Sequence, residues 1–360
     1  MTTAEALIAC DDINDALAFY VDRLGFRVDS IFPAESPTVA VLRGYGLRLR
    51  LDPEAPRSPA ALRISATDPD AMGGAGRLIA PDGTTVDIVA GDQPIVVPQI
   101  NQSFVLERAA DDANWTVGRA GMRYRDLIPD RQGGRFVGSH IMIPTAGPVP
   151  DYVHFHKLRF QMIYCYKGWT RLVYEDQGEP FIMNAGDCVL QPPRIRHRVL
   201  ESSAGLEVIE IGCPALHETI ADPDTILPTS EMRPDRDFGG QRFVFHDAGA
   251  ATWTESGDGF QRRRFGFTEA TDGLAEASVL RSTHGSGPDS GATLSCHRPD
   301  GEFYFVFVLT GSAILRRDGQ NDEALSTGDN FVMPSQQRFT LVDRSADLEL
   351  LEVVLPGLQA

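Results

Sequence analysis

The chain has 360 residues and a mass of 39.4 kDa, with 42% apolar and 23% charged residues. That composition supplies cores for about two or three domains and excludes a disordered chain. Acidic residues outnumber basic ones, giving a net charge of −17 and a pI near 4.8, which excludes a general nucleic-acid binder and a protein that docks on anionic lipid.

No apolar run approaches the ~20 residues of a membrane helix; the longest is Phe303–Leu309, and Leu348–Leu355 is interrupted by two glutamates. The opening MTTAEALIACDDIND has no basic segment, so a secretory signal is not expected. Five scattered cysteines without a CxxC pair read as buried, reduced thiols of a cytoplasmic protein.

Taken in chain order, Ile13–Leu24 carries Leu17, Phe19, Tyr20 and Leu24 at helical spacing, with Asp11 or Asp12 as N-cap and Gly25 as the stop. Strands are predicted at Phe26–Phe32, Thr38–Arg43 and Leu47–Asp52. A further pair, Ala61–Ala66 and Thr85–Val89, flanks the Pro81–Thr84 turn. The run Asp12-Ile-Asn-Asp-Ala-Leu-Ala-Phe19-Tyr20-Val-Asp-Arg-Leu24-Gly25-Phe26 resembles the opening of glyoxalase/bleomycin-resistance modules, the vicinal-oxygen-chelate superfamily. Pro81-Asp82-Gly83-Thr-Thr-Val-Asp87 resembles their closing hairpin. The resemblance implies a βαβββ unit over residues 1–92, with ligand places at Glu5 and Asp87. Two short carboxylates without a histidine make a poor transition-metal site, and Met72-Gly-Gly-Ala-Gly is too glycine-rich for a second helix. The module is therefore expected to be degenerate, serving packing or dimerisation.

After a linker at Gly91–Pro98, short alternating runs punctuated by glycine, proline and Asp/Asn turns predict antiparallel barrels over 105–222 and 238–360, joined by the polar stretch Asp222–Asp237. The two segments repeat each other: the elements after Trp115 and Trp253, around Gly168 and Gly311, and at Gly186–Pro192 and Gly328–Pro334 keep their order and spacing.

His154-Phe-His156 places two imidazoles on one face of a strand, because side chains repeat every two residues. His197 follows 41 residues after His156 and can return beside them. Three neutral imidazoles on one side of an ion leave open positions opposite, as redox or Lewis-acid chemistry requires. The competing reading, three satisfied barrel histidines without a metal, is weaker for three residues at this spacing than for one.

Gly147…His154-x-His156-x4-Gln161-x6-Gly168 and Gly186-x5-Pro192-x4-His197 resemble the two motifs of the cupins. The resemblance implies a mainly β fold of two tandem jelly-roll (double-stranded β-helix) barrels after the small α+β module. It further implies one divalent ion held by His154, His156 and His197 at one end of the first barrel. Fe(II) is favoured, with Zn, Mn, Ni or Cu as alternatives. Homodimers are usual for such barrels.

Three positions depart from the pattern: Gln161 stands for the glutamate ligand, Arg194 for the second-motif glycine and Glu201 for the final asparagine. Gln161 is either a weak neutral ligand or lies behind the ligands and hydrogen-bonds a bound water or substrate. With it the site looks like the three-histidine ferrous type of gentisate-like and diketone-cleaving dioxygenases. By strand parity Tyr152, Ile163 and Cys165 point inward, and Met162, Tyr164 and Tyr166 outward. His140, on an earlier strand, is a candidate acid/base or an ordinary strand residue. Arg196 and Arg198 are expected at a surface or interface, and Arg159 as a solvated arginine or an anion contact.

In the third segment the ligand places hold His297, Pro299, Tyr304 and Phe339, too few donors for a tight site. An irregular one would have to combine His297, Glu302 and Cys296. The expected function is a mononuclear non-haem dioxygenase acting on a small oxygenated substrate, possibly anionic, such as a phenolic acid or dicarbonyl. The alternatives are a redox-neutral metal-dependent isomerase or lyase and a small-ligand-binding cupin.

Overall fold

The computed structural model describes residues 3–10, 12–23, 26–44, 46–56, 61–70, 74–79, 85–109, 115–257, 259–285 and 301–356. In the N-terminal module, the Asp12 side chain accepts hydrogen bonds from the backbone N–H groups of Asn14 and Asp15 and starts a helix at Ile13–Leu17. A π-helical turn at Ala18–Arg23 continues it. The other capping candidate, Asp11, and the stop at Leu24 and Gly25 lie outside the described residues, as does the Pro81–Thr84 turn. The strands run Arg27–Phe32, Val39–Gly44, Leu47–Asp52, Thr3–Ala9, Ala61–Ala66, Thr85–Ala90 and Gly76–Ile79 across one sheet. Ala61–Ala66 and Thr85–Ala90 pair in parallel rather than as a hairpin; the antiparallel partner of Thr85–Ala90 is Gly76–Ile79.

The module's sheet does not end at its own edge. Ser30 and Ile31 pair with Ile220 and Thr219, so the sheet continues through Thr219–Ala221 into the His154–His156, His197–Ser202, Trp169–Tyr174 and Phe181–Asn184 strands of the first barrel. The barrel's second sheet is built on Phe160–Lys167, Leu206–Cys213 and Val137–Ile143, then Arg123–Asp126 and Trp115–Val117. The second barrel repeats this order with Phe303–Thr310, Glu349–Leu355, Glu276–Ser282, Phe260–Arg264 and Thr254–Gly257. The strands at Trp115 and after Trp253 are thus equivalent lead-ins.

The barrels exchange edge strands. Val105–Glu107, before the first barrel, pairs with Asn330–Val332 of the second. Val244–His246, before the second, pairs with Cys188–Leu190 of the first. Each covers an edge that would otherwise present unpaired N–H and C=O groups, and the pairing runs across the bounds read from sequence at 105 and 238.

Alternation divides the first barrel's residues as the parity argument predicts. Ile163 and Cys165 pack inside with Leu172, Tyr174 and Val189. Burial pushes the Cys165 thiol up to about 12, which suits a lining hydrophobe. Met162 and Tyr164 point out of the barrel, into a core shared with Phe303, Phe305, Phe307, Leu351 and Val353 of the second barrel, and Tyr166 packs against the same core.

Because Phe305 is fully buried in that shared core, Phe305→Ala should cost about 3–5 kcal/mol. Urea unfolding followed by near-ultraviolet dichroism should show both barrels losing stability together; an unchanged midpoint would contradict the shared core.

Candidate metal centre

His154 and His197 face each other across adjacent antiparallel strands in direct register, and His156 lies two residues from His154 on the same face. Their ring centroids are 4.3 Å (His154–His197), 5.1 Å (His154–His156) and 5.3 Å (His156–His197) apart. One nitrogen from each lies within 4.8 Å of the others. The opposite nitrogens are tied down. His154 Nδ1 bonds the Tyr152 carbonyl at 2.8 Å, His197 Nδ1 the Ile195 carbonyl at 3.0 Å, and His156 Nδ1 the Thr219 hydroxyl at 3.1 Å. A carbonyl only accepts, so Nδ1 of His154 and His197 carries the proton and each Nε2 keeps its lone pair for the cavity.

Burial keeps the rings neutral. It lowers the pKa of His154 and His156 well below the ordinary range, assisted by Arg119 and by His154 respectively, and that of His197 to about 4. Three neutral, oriented imidazoles are the donor set a divalent transition ion takes, so these residues fit the metal that the cupin motifs imply.

The cavity in front of them measures about 80 Å³ and has apolar walls, among them Met122, Ile141, Ile163, Leu172 and Val208. Gln161 lies on its wall within an amide chain. Its Nε2 donates to Glu210, its Oε1 accepts from Gln191 Nε2 at 3.0 Å, and Gln191 Oε1 accepts from the Tyr174 hydroxyl at 2.6 Å. Four further polar residues at the cavity were not foreseen from sequence. Arg119, paired with buried Asp151, donates from Nη2 to His154 Nε2 at 3.1 Å. Glu210 is half-buried on the cavity wall, and desolvation, with Glu35 adding to it, pushes its carboxyl up to about 7. His217 packs edge-on to His156 at 5.5 Å, and Glu35 reaches in from the N-terminal module. The alternation Leu206, Val208, Glu210, which sets an acid on an apolar face, is the one signal in the sequence that points to Glu210.

His140 is not part of this site. It sits on the outer face of its strand, bonding Glu207 at 2.7 Å and packing on Trp115, Tyr166 and Phe307 between the barrels. Its neighbour Ile141 takes the inward position. Tyr152 lies beside the cavity, edge-on to His154 with the Arg119 guanidinium over its ring. Arg159 pairs with Glu302 at 2.6 Å, and Arg196 with Asp222 and Glu175. Arg194, at the motif's glycine place, adopts the left-handed φ of 64° and holds Asp92 at 2.8 Å.

The second barrel fills the corresponding space. Register aligns Tyr304 with Gln161 and Glu352 with Glu210, and the Tyr304 hydroxyl donates to Glu352 at 2.6 Å. Arg262 pairs with Glu352 and supplies the cation there, while Phe339 is buried in the apolar core. His297, Cys296 and Pro299 lie outside the described residues. In the N-terminal module, Glu5 pairs with Arg48 at 3.3 Å and Asp87 with Arg77 at 2.6 Å, so the two ligand places carry structural ion pairs.

Residues 3–95 match the model of the Glyoxalase/Bleomycin resistance protein/Dioxygenase superfamily. The chain is similar in structure to oxalate decarboxylase from Bacillus subtilis, with a TM-score of 0.51, 12% identity and coverage of 74% of this chain and 79% of that one. It is also similar to the oxalate decarboxylase–formate complex from Lactobacillus farciminis, with a TM-score of 0.50, 13% identity and coverage of 74% and 88%. No curated protein matches the sequence. The fold is that of a bicupin preceded by a glyoxalase-like module, and its first barrel holds the three-histidine constellation. No helix among the described residues is long and apolar enough to cross a membrane.

Two outcomes are expected. His156→Ala should reduce metal content by mass spectrometry from about one equivalent to under roughly a tenth, with the fold retained, because two imidazoles hold an ion far more weakly than three. In metal-free protein, Glu210→Gln should raise stability at pH 8 by up to about 3 kcal/mol and leave it unchanged at pH 4. The sign follows from the raised carboxyl: folding favours the protonated form, so stability is lost as pH rises from the ordinary glutamate value through about 7. A gain of equal size at both pH values in thermal melts would refute the assignment.

Proposed function

We propose that the first barrel is a mononuclear metal-dependent enzyme whose reaction is dioxygenation of a small oxygenated substrate. The observation that carries this reading is the convergence of three neutral imidazoles on one wall of a largely apolar cavity. A ferrous ion held by His154, His156 and His197 would supply electrons and open coordination positions for a chelating substrate and O2.

The chain's own residues divide the remaining work. The carbonyls of Tyr152 and Ile195 and the Thr219 hydroxyl hold the ring orientations. The apolar walls lower the local dielectric and so strengthen the charge interactions inside. Gln161, fixed by Gln191 and Glu210, presents an amide to whatever oxygen sits before the histidines. Glu210, with a carboxyl near 7, can hold or release a proton at working pH. Arg119 remains protonated through Asp151, although burial opposes its charge, and offers N–H donors to an anionic oxygen.

The second reading is a redox-neutral lyase that cleaves a carboxylate from a small acid. It is favoured by the likeness of the fold to oxalate decarboxylases and by the proton-holding Glu210 beside the centre, although fold alone does not fix a reaction.

Metal analysis of untagged protein combined with oxygen-electrode and CO2-release assays separates the two. A panel of catechols, gentisate-like acids and small dicarbonyls is expected to give about one equivalent of iron per chain and O2 uptake. One equivalent of Zn or Mn with CO2 release and no net O2 consumption would replace the dioxygenase reading with the lyase. No metal would remove both.

A further inference from the structure

The N-terminal module supplies part of the cupin cavity. Its strand Arg27–Phe32 pairs Ile31 with Thr219, whose hydroxyl orients His156. The loop that follows lays Ala34 and Glu35 along the same cavity as the three imidazoles. The docking is close: a Cβ on Gly118 would lie 3.0 Å from the Glu35 carbonyl oxygen and 2.7 Å from the Tyr124 ring, so glycine is required where the loop crosses the barrel. The Glu35 carboxylate has no hydrogen-bond or ion-pair partner among the described residues. Every other charged group on the wall is engaged: Arg119 by Asp151 and Glu210 by Gln161.

We infer that Glu35 is a specificity-determining residue of the first barrel, accepting a hydrogen bond from an ammonium or hydroxyl group at the end of the substrate remote from the metal. The inference rests on the metal-centre reading proposed above. It narrows the substrate class to a small molecule with chelating oxygens at one end and a hydrogen-bond donor at the other, and it gives the degenerate module a task in its neighbour's chemistry. The field of Glu35 already reaches Glu210, Tyr124 and His217 across the cavity, so a donor placed among these groups meets an acidic wall. A second carboxylate at that end would be repelled by Glu35 and desolvated without a partner.

The test uses the full chain loaded with Co(II), whose visible bands report ligand binding. Glycine hydroxamate and acetohydroxamate present the same chelating oxygens, but only the first carries an ammonium group. Glu35→Gln preserves shape and removes the charge. It should weaken glycine hydroxamate about tenfold, the size of a partly buried charge-assisted bond, and leave acetohydroxamate within about twofold, as expected for a ligand without a donor. Glu35→Asp should recover part of the lost affinity, and thermal melts of both variants should match the parent. Equal effects on the two ligands, or none on either, would overturn the inference while leaving the metal centre intact. Failure of the parent to take up Co(II), visible in the same spectra, would overturn the metal reading and this one with it.

Discussion

The first barrel depends on how three imidazole rings are turned. In two of them the constraint is local: His154 and His197 each give the Nδ1 proton to the carbonyl two residues upstream, Tyr152 and Ile195. The ring is then oriented by its own strand before any distant partner arrives. His156 differs. Its Nδ1 partner is Thr219, on the strand that joins the barrel to the N-terminal module. Burial makes protonation of all three costly, so with Nδ1 committed to a carbonyl, Nε2 of His154 and of His197 keeps a lone pair that needs a cation or donor. In this structure Arg119 takes that role at His154 and Gln191 approaches His197 at 3.4 Å.

The two barrels show the same constraint resolved in two ways. Both place an acid at the same register position, Glu210 in one and Glu352 in the other, and both set a donor from the neighbouring strand against it. In the second barrel Arg262 neutralises the acid and Phe339 with its neighbours fills the space. That interior is satisfied and packed. In the first barrel no arginine among the described residues pairs with Glu210, the space in front of the histidines stays open, and the acid is held near neutrality by desolvation. The difference between the packed barrel and the open cavity thus lies in where the buried arginine is spent: Arg262 on Glu352 in the second barrel, Arg119 on Asp151 and His154 in the first.

The histidine constellation was legible because its geometry is short-range: a two-residue repeat on one strand and a turn-bounded return to the next. The same parity placed Ile163 and Cys165 correctly inside. Applied from Ile141, it turns His140 outward. The residues that sequence reasoning missed sit far away along the chain. Glu35 is 126 residues from Gln161, and Glu210 is 49, and little in their immediate surroundings marks a cavity. The exchanged strands Val105–Glu107 and Val244–His246 are three residues each, too short to carry a periodic signal. In the second barrel Tyr304, Phe339 and Glu352 occupy the places that correspond to Gln161, His197 and Glu210.

A module whose two candidate ligand places carry ion pairs still has two things to offer a neighbour: an edge strand and the loop beyond it. The edge here is Arg27–Phe32, and pairing it with Thr219–Ala221 satisfies backbone groups on both sides while removing an exposed edge from each domain. Once that pairing fixes the register, the position of the next loop follows, because the chain must turn back within six residues to begin Val39–Gly44. The turn falls over the mouth of the barrel and against Gly118. The module's own sheet and its contribution to the barrel cavity are thus joined physically: the edge pairing of Arg27–Phe32 with Thr219–Ala221 sets where the following loop lies, and that loop carries Glu35.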